Sequence, residues 1–554
     1  MITSRSIDER GYRLAAPRTR TQSASVIESA WKQARWLRTF WIAFIVLAAS
    51  IPYVINYAAA PEGFHYTWII PPYHQDSLAY MAWSEQAARG SILFKIKYTA
   101  LPHEAFLFHP LFLVSGWLKL LLSWDMGIIH WIVKGIGIVL FWLVYFKYTD
   151  WLKLDPIENF AATFLVGISS GFGWFYYQIV GLEGDPLGFS ADLWMPDINT
   201  FWSLTWNPLF PFSLMGLLFS VYLLDRGTEE DDARCMWFAG LAAGLLTLIH
   251  PYHVPLLFTL AAWVTWFRLR GKAPGMLVRY YAAALPFVSV VLLVAKLHPL
   301  ASRHSASGEM TSPYPMAQAL GFGLPLFLFL AGLAAGRGDF AKKYLLPISW
   351  VVLSLIFSPL PFWFQRKFLF GAHIPLCLLA GVSFAIFIAK VAGPRRNAAF
   401  VAALLIVAPV TLSTQVFHWA LQREIVRNNH EGAYYIGDDL RGAMKYLERE
   451  SSPEEVVLAA ESTSTLVPAY SGNTVLWGHW AMSVDVRERR GWRDGIFAAG
   501  TSAVAGRELA GAKVKYILVD DEFRKQFGEP KPEFLSTYAK VFEAGKVAIY
   551  RNGR

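Results

Sequence analysis

Cysteine is almost missing from this chain. Its 554 residues include two, Cys235 and Cys377, and both lie at or inside long apolar runs. That scarcity excludes a disulfide framework, and the last 138 residues, from Phe417 on, have no cysteine at all. Charge is scarce as well: Asp, Glu, Lys and Arg make up 16% of the residues, against about 25% in ordinary soluble proteins. With 55% hydrophobic residues, a wholly water-facing surface is excluded and lipid must solvate much of the chain. No internal repeat of fixed period and no low-complexity tract is present. The net charge of +9 sits mainly in short loops between apolar runs, where bases act as topology determinants. It is not a footprint for nucleic acid.

What is there in abundance is apolar sequence long enough to cross a hydrocarbon core of about 30 Å. Eleven such stretches are expected to be spans: 40–60, 127–146, 159–180, 208–224, 236–249, 254–267, 280–297, 317–335, 344–361, 371–389 and 398–416. The first 39 residues are polar, with eight Lys/Arg against three Asp/Glu. They read as a cytoplasmic tail leading into an anchor that stays, with no cleavable signal peptide.

One further apolar segment, Ala105–Trp124, decides the topology. Counted as a span it inverts every later loop. Lying in the interface, it leaves the loops after spans 2, 4, 6, 8 and 10 on the cytoplasmic side with 14 Lys/Arg, including Arg268, Arg270, Lys272 and Arg279, against three in the corresponding outer loops, Arg303, Arg366 and Lys367. The positive-inside tendency selects the second arrangement. Lys119 interrupts the apolar run and Pro110 suits the first turn of a helix, so an amphipathic interfacial helix is expected there. The fold class that follows is an α-helical polytopic membrane protein of about eleven helices, with its N-terminus inside.

From about Phe417 the character changes, because charge becomes frequent and apolar runs shrink to strand length. Residues 417–554 are expected to form a soluble extracytoplasmic α/β domain. Its candidate strands are Val456–Ala459, Thr474–Trp477, Lys515–Val519 and Val547–Arg551, and its candidate helices are Asp439–Arg449 and Glu533–Val541. It shows no Gly-rich phosphate loop and no Ser/His/Asp or Cys/His spacing of a nucleophilic site.

The membrane part, residues 40–416, carries its chemistry in two outer loops. Loop 61–126 is far longer than the roughly 15 residues beyond which loops are commonly functional. In it, PPYHQDSLAY puts Asp76 after a Pro-Pro turn, where it serves either as a helix N-cap or as a catalytic carboxylate. Loop 181–207 holds Glu183, Asp185, Asp192 and Asp197 with no base. An uncompensated cluster of this kind supplies turn residues, a divalent cation site for Mg2+ or Mn2+, or an acid/base group. HPYH, between two short spans, offers His250 and His253 as substrate-binding candidates. Lys134, about two turns inside the second span with His130 at i−4, either faces a polar cavity or snorkels. Arg366 and Lys367, in FWFQRKF, bind a phosphate or lipid headgroups. The outer aromatics Trp68, Tyr73, Tyr80, Trp194 and Trp202 either stack on sugar faces or, more simply, form an interfacial belt.

Taken in order, these features resemble the GT-C glycosyltransferases, which include protein O-mannosyltransferases, aminoarabinose transferases and oligosaccharyltransferases. The resemblance rests on YHQDSLAY in a long first loop, then HPL opening an interfacial helix, then WMPDINTF about a hundred residues on. It covers roughly residues 40–270; QRKFLFGAHIPL and SGNTVLWGH are similar to segments of bacterial members. The resemblance implies a catalytic base at Asp76, a supporting or metal-binding acid at Asp197 (Asp192 being the other metal candidate), and His109 of HPL near substrate. It also implies a polyprenyl-phosphate sugar donor, a glycan, lipid or protein acceptor, and a place in the bacterial inner membrane. Departures are HPL in place of HPP, a single first acid, and HPYH where several relatives have a Lys-containing turn. They leave the sugar, the acceptor and metal dependence open. A secondary transporter, and a non-catalytic envelope protein on the same scaffold, are the alternatives.

Overall fold

A computed structural model describes residues 20–301, 310–392, 396–429, 432–483, 491 and 513–553. The start of the expected tail, residues 1–19, and Arg303 lie outside the described residues. The chain is mostly helical, as expected, and each of the eleven expected spans overlaps helix, with 159–180 and 317–335 interrupted. Among the described residues, six helical segments are long and apolar enough to cross a membrane: Arg35–Ala58, Met126–Trp151, Leu209–Glu229, Pro251–Leu297, Gln365–Ala392 and Ala398–Arg427. A seventh is the pair Pro315–Phe322 and Leu324–Gly336, bent by 92°. Reaching eleven requires dividing Pro251–Leu297 at the turn Arg270–Lys272 and counting the short apolar helices Pro156–Ile168, Ala233–Thr247 and Leu345–Phe357.

The expected span 159–180 is broken. Pro156–Ile168 starts with an Asp155/Glu158 capping box and Pro156 in its first turn, and it stops before a second helix, Gly173–Val180. The break lies against that of the bent pair. A Cβ on Gly323 (φ 55°) would come within 2.6 Å of Gly171, and the Phe172 amide donates to Leu320 O at 2.8 Å. Glycine at both positions is what lets two interrupted backbones touch.

The long loop 61–126 forms a layer with the C-terminal residues. Strands β1 (Phe64–Tyr66) and β2 (Tyr435–Gly437) pair antiparallel, with His65 opposite Ile436. Two helices follow β1 in the loop, His74–Ala88 and Pro110–Leu122. The second has Pro110 in its first turn and 13 residues, about 20 Å at 1.5 Å per residue, which is short of a crossing. The C-terminal sheet adds β3 (Val456–Leu458), β4 (Thr474–Val475), β5 (Val514–Val519), β6 (Tyr538–Ala544) and β7 (Val547–Asn552), in the order β4-β3-β5-β7-β6. The β4-β3-β5 part is parallel and the rest antiparallel.

The expected helix Glu533–Val541 is corrected by β6. Tyr538, Val541 and Phe542 favour a pleated strand, and Gly545 (φ 50°) closes the hairpin to β7. The sheet is fastened to the loop by Lys97, whose Nζ lies 3.0 Å from Glu454. The Val475 amide adds a bond to Lys97 O at 2.8 Å. These ties carry the segment after β4, Trp477–Ser483, over the start of helix His74–Ala88.

Candidate active site

A cavity of about 440 Å3 opens where the first loop, the turns at 248–252 and 363–367, a membrane helix and the C-terminal domain meet. Its polar wall includes Asp76, Asp197, His250, Arg366, Lys367 and His479. Its apolar wall includes Val290, Val294 and Ala295 of the helix Ala273–Leu297, together with Phe106 and Phe108.

Asp76 stands in the first turn of His74–Ala88, whose N-cap is Tyr73 at φ 62° with no side-chain cap. The carboxylate is therefore not engaged in capping. Its Oδ1 accepts from Trp480 Nε1 at 3.2 Å and faces His479 Nε2 at 3.4 Å. Burial pushes the Asp76 carboxyl upward, but hydrogen bonding to His479 and Trp480, together with the nearby charge of Lys367, outweighs it and holds the group below its ordinary range. Asp76 is thus a carboxylate at neutral pH.

Asp197 sits in the turn Pro196–Ile198, and its Oδ1 takes a 2.6 Å bond from Lys367 Nζ. Arg366 Nε lies 4.0 Å from Asp197 Oδ2. Arg366 also faces the Tyr73 ring at 5.8 Å, and its buried Nε has no hydrogen-bond partner among the described residues. A guanidinium with a donor to spare, beside a carboxylate already held by lysine, is arranged to receive an anion.

His250 and His253 share a 2.8 Å bond from ring to ring. His250 faces the cavity, whereas His253 lies behind it and is not in the wall. His109 also lines the cavity, with Nε2 donating to Ile249 O at 3.1 Å. Burial, against the pull of that carbonyl, takes His109 down to about 4, so it is neutral and its buried Nδ1 is unpaired.

Two further expected site residues, besides His253, are not brought to this cavity. Lys134 points into the helix packing, giving hydrogen bonds to Thr205 O (3.1 Å) and Ala49 O (3.4 Å) with the Tyr53 ring 3.5 Å away. Asp192 accepts from Ser190 Oγ at 2.6 Å and from the Gly173 amide at 3.2 Å. Burial raises its carboxyl to about 6. The carboxylates of Asp192 and Asp197 thus serve different partners and do not form a ligand set. Among the described residues no group of three or more His, Cys, Asp or Glu is placed to hold a metal ion, which argues against an all-protein cage for the expected Mg2+ or Mn2+ and not against a carboxylate shared with a substrate phosphate.

Sequence reasoning assigns no role to His479 and Trp480. The available signal is WGHW, two tryptophans and a histidine directly after a buried strand, where ordinary turn residues are the norm.

No family model matches the sequence, and neither does any curated protein. Among solved structures the chain is similar to the Archaeoglobus fulgidus oligosaccharyltransferase AglB, in complex with an inhibitory peptide and a dolichol-phosphate. Identity is 13%, the TM-score is 0.48, and 94% of this chain and 75% of that one are covered. It is also similar to ArnT from Cupriavidus metallidurans, in the apo state at 13% identity and TM-score 0.47, covering 92% of this chain and 98% of that one. The same protein bound to undecaprenyl phosphate gives 12% identity and TM-score 0.44 over the same shares.

Proposed function

We propose that this chain is a membrane glycosyltransferase that moves a sugar from a polyprenyl-phosphate donor to an acceptor hydroxyl on the extracytoplasmic face, with inversion. One observation carries the reading: an ionised Asp76, the partly unpaired Arg366 and an apolar helix face share one cavity. The polyprenyl chain runs along Val290, Val294 and Ala295, and its phosphate rests against Arg366. Lys367 is held in place by Asp197.

Asp76 takes the proton of the acceptor hydroxyl as the acceptor oxygen bonds to the anomeric carbon. The bond from that carbon to phosphate oxygen breaks, and the polyprenyl phosphate leaves with the electron pair. Arg366 stabilises the charge that gathers on it. No step runs through a metal ion. The N-terminus is cytoplasmic in this reading, the C-terminal domain extracytoplasmic, and the bilayer the bacterial inner membrane.

A transporter has one observation in its favour, the two interrupted spans, because broken helices mark many transporter sites. Those breaks, however, close backbone to backbone at Gly171 and Gly323 and do not line the cavity. The test is incubation of the purified protein with a panel of polyprenyl-phosphate sugars and acceptor extracts, following release of lipid phosphate. Sugar-dependent release that disappears in Asp76→Asn is expected. Full activity in that variant removes Asp76 from the mechanism, and no release with any donor overturns the reading.

A further inference from the structure

His479 is buried and 3% exposed, and its ring is fixed from both sides. Nδ1 accepts hydrogen bonds from the amides of Ala481 and Met482, each at 3.1 Å. A ring nitrogen that accepts two N–H groups carries no proton of its own, so the neutral imidazole must hold its proton on Nε2. That nitrogen has no hydrogen-bond partner at ideal distance; what it faces is Asp76 Oδ1, 3.4 Å away.

The loop carrying the ring is closed by the His479 amide on Ser483 Oγ at 3.0 Å, and docked by the Trp480 amide on Gln75 Oε1 at 2.9 Å. It turns at Gly478, whose φ of 140° suits glycine and whose Cβ would meet Ser464 at 3.0 Å. Trp480 Nε1 reaches the same oxygen of Asp76 at 3.2 Å. Both donors from the C-terminal domain thus converge on Oδ1, and Oδ2 receives no hydrogen bond among the described residues.

We propose that His479, held as its Nε2–H tautomer, is a positioning residue for Asp76: with Trp480 it anchors Oδ1 and leaves Oδ2 to the incoming hydroxyl, so the C-terminal domain completes the base. The catalytic meaning of this pair rests on the reading of Asp76 as the base, but the pair itself does not. The 3.4 Å separation is long for a hydrogen bond, and such contacts tighten when a site fills. The other groups around Asp76 are Lys367, which favours its ionised form, and the hydroxyls of Tyr73, Tyr80 and Tyr252. On the far side His479 meets the Tyr98 ring at 5.4 Å, whose hydroxyl is tied to Thr465 O.

The test follows the carboxyl itself. In nanodiscs with 13C-labelled aspartate, the Asp76 signal, assigned with Asp76→Asn, is titrated in the wild type, His479→Gln and His479→Asn. Gln keeps a donor where Nε2 lies, whereas Asn keeps only the acceptor of Nδ1. His479→Asn is expected to move the Asp76 midpoint up by about one pH unit or more, with His479→Gln near wild type. The 15N signals of wild-type His479, which require no variant, are expected to report Nε2–H.

An unmoved midpoint in His479→Asn, or an Nδ1–H tautomer, overturns the proposal whether or not the protein turns over. A shifted midpoint in a protein that releases no lipid phosphate supports the pair and sinks the transferase reading instead. In an active protein, His479→Asn lowers kcat at least about tenfold at unchanged donor KM and moves the acid limb of kcat upward; a purely structural histidine changes neither limb nor ratio.

Discussion

The cavity wall and the two enclosed polar nodes, around Lys134 and Asp192, are built from the same kinds of residue and do opposite things with them. Asp76, partly buried, and Asp192, fully buried, are both carboxylates of long loops. One is held low by donors from another domain, and the other is lifted to about 6 by burial that Ser190 and Gly173 do not offset. Arg366 and Lys134 are both basic side chains with little exposure. Arg366 keeps a donor that is unpaired among the described residues, beside open space, whereas Lys134 points its Nζ at two carbonyls and a ring. A buried charge works on a ligand when its hydrogen-bonding capacity is incomplete and there is room beside it. When that capacity is met by the protein, it fastens the fold.

The sharpest way to break this contrast is the same substitution at both acids. Asp76→Asn is expected to reduce lipid-phosphate release by about 10²–10⁴-fold, the usual range for loss of a general base, with thermal stability little changed. Asp192→Asn is expected to keep activity and change stability. Comparable losses of transfer from both substitutions would erase the difference between wall and node.

The Asp192 node makes its own prediction in pH. Its carboxyl is raised in the folded protein from 3.8 to about 6, so the folded state holds the proton more tightly than the unfolded one. The stability this gives is complete below about pH 4 and is lost as pH rises through about 6, some 3 kcal/mol at most from a shift of about two units. Asp192→Asn, which resembles the protonated acid, removes the dependence. Melting in detergent at pH 5 and pH 8 checks this: wild type is expected to fall between the two and the variant to stay level. A parallel fall in both would assign the pH effect elsewhere.

Helical class, the long first loop and the strand-length runs beyond Phe417 were legible because they rest on composition and period. Asp76, Asp197, Arg366 and Lys367 were legible as chemistry without a place. What joins them is non-local: Lys367 meets Asp197 across 170 positions, and Trp480 reaches Asp76 across 404. Sequence order cannot display such pairs. The same blindness explains Lys134, which a charge in a span marks as unusual, while the carbonyls that absorb it belong to distant helices. The turn Glu533–Thr537 and strand β6 were misread as a helix because the hairpin partner β7 decides that segment.

Arg366→Gln tests the wall at smaller amplitude. A charge-assisted hydrogen bond contributes about 1.5–3 kcal/mol, so the donor KM is expected to rise about 10–100-fold, at 1.4 kcal/mol per factor of ten. The measurement is donor saturation with the acceptor held constant. A variant that loses kcat while keeping KM would move Arg366 from holding the ground-state phosphate to stabilising the departing one.

Lys134→Met carries the smallest expected effect. Its loss removes hydrogen bonds to Thr205 O and Ala49 O, about 1.5–3 kcal/mol for a charged donor. It also relieves the burial of an ammonium, which costs about 2.5–3.5 kcal/mol at a helix centre. Thr205 O and Trp206 O still receive the Tyr53 hydroxyl, at 3.0 and 2.5 Å, so the end of helix Thr200–Trp206 is not stripped of donors. The two terms nearly cancel, and stability is expected within about 1 kcal/mol of wild type with transfer unchanged. A tenfold loss of transfer at unchanged stability would return Lys134 to the substrate and show that a cation can act on the cavity without lining it.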